Sequence, residues 1–83
     1  MDKNKKIARI KWACRRGMLE LDFMLTEFLS DGFHKLSDEQ IESFEEFLHN
    51  ADPDLYAWLM GYQKPKLNKD IEMVNLIKNT VNQ

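Results

Sequence analysis

Leu21, Met24, Leu25, Phe28 and Leu29 recur at i, i+3, i+4, i+7 and i+8. Wound at 3.6 residues per turn they form one stripe, whereas in an extended chain they scatter over both faces. The middle of the chain is therefore committed to an amphipathic helix. Nowhere else does a run of alternating apolar and polar residues reach strand length, so the reading is all-α.

Helix signals continue on both sides of the stripe. Ile7, Ile10, Ala13 and Cys14 share a face of a first helix expected over about residues 4–15. Gly17, about 1 kcal/mol worse than alanine inside a helix, marks a bend or break before the second. Gly32 is expected just past the end of that second helix in a left-handed conformation, with Phe33 folding back on Phe28 as in a Schellman ending. Ser37-Asp38-Glu39-Gln40 forms a capping box, and Leu36 against Ile41 supplies the hydrophobic staple of a third helix that continues through Phe44, Phe47 and Leu48. In Asp52-Pro53-Asp54 the first carboxylate is expected to cap a short fourth helix carrying Leu55, Trp58 and Leu59, with proline where it removes no helical bond and Gly61 at the end. Residues 63–67, with Pro65, read as a loop. Asn68 is expected to cap a last helix carrying Ile71, Val74, Ile77 and Val81. Five helices joined by short connections predict a compact antiparallel, bundle-like single domain over residues 1–83, its core spanning about 7–81.

Composition excludes several classes. Eighty-three residues, 43% hydrophobic and 31% charged, are too apolar for a disordered chain and too short for a two-domain enzyme. No apolar run approaches the roughly 20 residues a membrane-spanning helix needs. Cys14 is the single cysteine, so no internal disulfide forms and a reducing cytoplasm or matrix is the expected compartment. The cytoplasm is the favoured expectation, because the helical pattern begins at Ile7 and leaves no room for a presequence. The net charge of −2 conceals a polarity: residues 1–16 carry +6 and residues 17–83 carry −8. A basic start can meet phosphate or an acidic protein surface. A DNA-binding first helix is one alternative, but a pI near 5.6 makes the whole chain a poor nucleic-acid ligand, and no nucleic-acid partner is expected.

Catalytic constellations are scarce. His34 and His49 stand apart without metal-ligand spacing, and no dinucleotide, phosphate-loop or nucleophile-elbow motif occurs. Cys14 beside Arg15 and Arg16 can in principle have a lowered thiol pKa. Its place on the apolar face favours a buried structural role. The segment Arg15-Arg16-Gly17-Met18-Leu19-Glu20 is different: a glycine at the start of a strong helix leaves backbone unshielded, with opposite charges on either side.

That segment carries a resemblance. Trp12-Ala13-Cys14-Arg15-Arg16-Gly17-Met18-Leu19-Glu20-Leu21-Asp22, Leu36-Ser37-Asp38-Glu39 and Asp52-Pro53-Asp54-Leu55-Tyr56-Ala57-Trp58-Leu59-Met60-Gly61 resemble, in order and spacing, the SdhE flavinylation-factor family over about residues 8–78. The resemblance implies a small five-helix protein that assists covalent attachment of FAD to the flavoprotein subunit of succinate dehydrogenase and, in bacteria, of fumarate reductase. The R-G-x-x-E signature falls on Arg16, Gly17 and Glu20, which are expected to meet the client near its flavin site. Arg9, Trp12 and Arg15 precede it on the same helix. Asp52, Pro53, Asp54 and Trp58 occupy the second matched segment, although capping explains Asp52 and Pro53, and core packing explains Trp58, more readily than client contact does.

The implied mechanism is assistance without chemistry. A client histidine becomes bonded to the flavin 8α-methyl carbon by the client's own groups, and the factor holds the client so that the two meet. FAD accordingly belongs to the client and no tight independent site is expected. The resemblance also implies an alternative role as the antitoxin-type regulator of a small membrane toxin. A monomer is expected, with the basic first helix as the client surface and the acidic third helix facing solvent.

Overall fold

A computed structural model describes residues 3–81. It contains five α-helices, α1 (Lys3–Ala13), α2 (Leu19–Asp31), α3 (Asp38–Phe47), α4 (Asp52–Met60) and α5 (Asn68–Val81), with a short 3-10 turn at Phe33–Lys35. No strand occurs among the described residues. The all-α reading holds, and the central stripe lies where its periodicity puts it. Leu21, Leu25 and Phe28 are fully buried, and α2 packs against α5, α4 and the 3-10 turn. Around it close Ile10 and Cys14 from the first segment, Phe44 and Phe47 from α3, Leu55 and Leu59 from α4, and Val74 and Ile77 from α5. The rings of Phe28 and Phe44 meet at 5.1 Å in a tilted arrangement, the geometry aromatic quadrupoles favour.

Local chemistry sets most boundaries as expected. At α3 the Gln40 N–H donates to Ser37 Oγ at 3.2 Å while the Ser37 N–H donates to Gln40 Oε1 at 2.9 Å, a complete capping box. Gly61 ends α4 in the left-handed region, with φ 86°, and the Tyr62 N–H closes back to the Ala57 carbonyl at 2.8 Å.

Four expectations need correction. Gly32 is not left-handed: its φ is −130°, the chain runs on into the 3-10 turn, and Phe33 packs against Phe44 at 6.0 Å. Its need for glycine is steric, since an added Cβ would lie 2.8 Å from Thr80 Cγ2 where α5 crosses. Asp52 is not a cap. It lies inside α4, whose N-cap is Ala51, and its carboxylate is engaged by Arg16. Asn68 likewise lies inside α5, and the Leu67 carbonyl accepts from the Asp70 and Ile71 N–H groups. Finally, α1 ends at Ala13, short of Arg15, and the Arg16 guanidinium takes the Ala13 carbonyl at 2.9 Å.

The acidic side of α3 does not simply face solvent. Lys6 Nζ meets Glu42 Oε2 at 3.4 Å and Arg9 Nε meets Glu45 Oε2 at 2.8 Å, so the basic first helix lies along it. Further along, Arg16 pairs with Asp52 and Glu20 with Tyr56. All four links join residues 36 positions apart. A constant offset means that residues 6–20 and 42–56 run side by side in the same direction and in one register. Each half is a helix, a break and the start of a second helix.

Candidate partner-binding site

The break between α1 and α2 is held from several directions. Asp22, one turn into α2, turns its carboxylate back on the chain: Oδ1 accepts the Arg16 N–H at 2.8 Å and Oδ2 the Gly17 N–H at 3.2 Å. Two backbone donors of the break itself, which lie ahead of the Met18 N-cap and outside either helix, are thereby satisfied. Gly17 adopts φ 83°, a left-handed conformation that glycine enters at no steric cost. A Cβ built there would meet nothing within 4 Å. Glycine is required here by the backbone angle, and the space above it is open.

Arg16 points into the protein. Its side chain is only 16% exposed, with Nε on Asp52 Oδ1 at 2.8 Å, Nη1 on the carbonyls of Ala13 (2.9 Å) and Leu48 (2.8 Å), and Nη2 on the Asn50 carbonyl at 3.1 Å. One planar fork thus ties the end of α1 to the connection between α3 and α4, a task that suits guanidinium geometry. Glu20 remains exposed on the first turn of α2 and accepts the Tyr56 hydroxyl at 2.9 Å. That bond raises the Tyr56 phenol above its ordinary pKa. The Tyr56 ring packs on Tyr62 with centroids 6.0 Å apart.

The remaining expected residues divide. Trp12 is 74% exposed, and the Arg15 guanidinium lies 5.8 Å over its indole, within cation–π range. Arg9 is largely exposed but paired with Glu45, whose carboxyl it holds below the usual range by hydrogen bonding. Asp54 is exposed at the start of α4. Trp58 is half-buried against Phe47 at 6.1 Å and packs on the core. Arg16, Gly17, Glu20 and Asp52 are thus drawn together, while Trp58 is tied to the core. Sequence reasoning assigned no role to Asp22, Tyr56, Leu19 or Phe23. Leu19 (88% exposed) and Phe23 (61%) lie one turn apart on the outer side of α2. The spacing held a signal for Tyr56: it follows Asp52 by four residues, as Glu20 follows Arg16.

Cys14 is buried, and burial pushes its thiol up to about 12 although the Arg16 charge pulls the other way. At neutral pH it carries essentially no thiolate, the reactive form. Native protein should therefore resist a thiol-specific reagent that reacts at once in denaturant. Fast labelling without denaturant would contradict this placement.

Fold and turn together define a small all-α protein that presents a braced, glycine-centred signature between two helices. The model of the family described as "Flavinator of succinate dehydrogenase" matches residues 8–81. FAD assembly factor SdhE of Legionella pneumophila (strain Lens) is 42% identical over 76 residues, 92% of this chain and 95% of that protein. The factor of the same name from Vibrio vulnificus (strain CMCP6) is 44% identical over 70 residues, 84% of this chain and 81% of its own. A solution structure of a UPF0350 protein superposes with a TM-score of 0.75 at 42% identity, covering 93% of this chain and 82% of that one. The chain belongs to the family described as flavinator of succinate dehydrogenase.

Proposed function

We propose that this chain binds the flavoprotein subunit of succinate dehydrogenase, and that of fumarate reductase, and promotes their covalent flavinylation. Family membership supports the reaction, and one observation supports the surface: Gly17 sits with nothing above it, in a turn fixed on both sides by Asp22 and Arg16. Exposed Trp12, Leu19 and Phe23 flank that turn in sequence, and large apolar side chains left in water mark contact surfaces. The client backbone meets Gly17, the apolar side chains supply buried area, and Glu20 and Arg15 supply charge at the rim. Asp52 contributes through Arg16, and Asp54 lies at the edge.

The chain performs no bond-making step in this reading. It holds the client's attachment histidine and flavin in a productive arrangement, an effect of proximity and population. FAD stays with the client, and this chain acts as a cytoplasmic monomer without a tight flavin site of its own. No helix of the described residues is long and apolar enough to cross a membrane. Nothing in the names of the matched relatives favours the antitoxin-type alternative.

The test is direct. Apo-flavoprotein subunit and FAD are incubated with and without the chain, and covalent flavin is read by in-gel fluorescence. A several-fold faster rise with the chain is expected; rates that are the same with and without it, for both clients, would overturn the proposal.

A further inference from the structure

Two residues of the signature are supported from one helix. Arg16 and Glu20 lie four positions apart, and so do their partners Asp52 and Tyr56 on α4. Positions four apart share a helix face. The start of α4 therefore presents a carboxylate and a phenol in the spacing of the two signature charges.

The two supports differ in what they must achieve. Arg16 is largely enclosed and makes three further bonds to backbone carbonyls outside α4, so Asp52 is one of several groups that hold it in place. Glu20 is exposed, and an exposed glutamate on a first helical turn samples several rotamers unless something restrains it. The hydroxyl of Tyr56 makes the restraining bond to Oε1, and no described residue bonds Oε2. Tyr56 is itself steadied by the Tyr62 ring, and the Tyr62 backbone is fixed by the left-handed ending of α4. Support thus runs from the Gly61 turn through Tyr62 and Tyr56 to the Glu20 carboxylate.

We propose that Tyr56 is a positioning residue for the signature, holding Glu20 in the rotamer that meets the client while not touching the client itself. The inference rests on the functional reading above. It adds a residue that lies outside the R-G-x-x-E signature and explains how an exposed carboxylate is pre-ordered before docking.

The experiment is a double-mutant cycle of Tyr56→Phe and Glu20→Ala, read by the concentration of chain giving half-maximal flavinylation of the succinate dehydrogenase apo-subunit. Tyr56→Phe should raise that concentration about fivefold, the scale of one lost hydrogen bond, with the plateau rate unchanged and melting within about 5 °C of the parent. In the Glu20→Ala background it should have no further effect. Phenolic absorbance at 295 nm supplies a second readout, because Glu20→Ala should return the Tyr56 titration toward lower pH. Additive losses in the cycle would make Tyr56 a direct client contact and overturn the inference, as would a Tyr56→Phe chain equal to the parent. If the parent chain itself gives no stimulation, the functional reading fails and this inference fails with it.

Discussion

Arg16→Ala should melt roughly 10–25 °C below the parent, a loss of about 2–4 kcal/mol for a domain this small. The residue makes one charged and three backbone contacts from a side chain only 16% exposed, and removing it leaves the carbonyls of Ala13, Leu48 and Asn50 without that donor. The one-third exposure of Asp52 lets water recover part of the cost, which keeps the figure below that of a fully buried pair. Arg16→Lys should recover little, because an ammonium at one point cannot span four acceptors that a planar fork reaches together. Thermal unfolding followed by circular dichroism checks both variants. An Arg16→Lys chain that melts with the parent would mean that the arginine is held for the client alone. Flavinylation lost in an Arg16 variant is therefore evidence of contact only when melting is measured beside it.

Gly17 should behave in the opposite way, folding well and failing to act. Valine is a poor probe here, because a β-branched residue at φ 83° is strained whatever room surrounds it. Asparagine tolerates the left-handed region, and a Cβ at this position meets nothing within 4 Å in the free protein. Gly17→Asn should accordingly keep its melting temperature within a few degrees and, if the client docks as proposed, lose covalent flavin attachment at least tenfold, since its side chain would occupy the space assigned to client backbone. In-gel flavin fluorescence and melting on one preparation settle the matter. Full activity in a normally folded Gly17→Asn chain would remove the turn from the interface.

The two residues also mark where sequence is legible and where it stops. Features decided within one turn of chain are readable: the reciprocal bonds of Ser37 and Gln40, the end of α4 at Gly61, and the apolar stripe of α2 all follow from short spacings. Gly32 is misread because its reason is tertiary, the passage of Thr80 over a position with no Cβ. Asp52 is misread because a carboxylate in a first helical turn serves equally as cap or as ion-pair partner, and only the distant Arg16 decides between them. The same limit applies to Glu42 and Glu45, whose acidic face reads as solvated until α1 is laid beside it. At the site, the signature itself was legible by resemblance. Its inward arginine and the supporting Asp22 and Tyr56 were not, since a motif records which residues occur and not which way they point.

The constant offset of 36 residues bears on when the site comes into being. During synthesis Arg16 and Glu20 emerge well before Asp52 and Tyr56, and closing loops of that length carries an entropic cost that short-range contacts avoid. The α1–α2 turn therefore has only its local bonds to Asp22 and Ala13 while it is the only part of the chain available, and the Arg16 and Glu20 side chains lack their partners on α4. Those two side chains are placed when the second half lies down alongside the first, and a copy lacking residues 48–56 has no partners for them there. Competence to engage a client is in this way tied to completion of the factor's own folding.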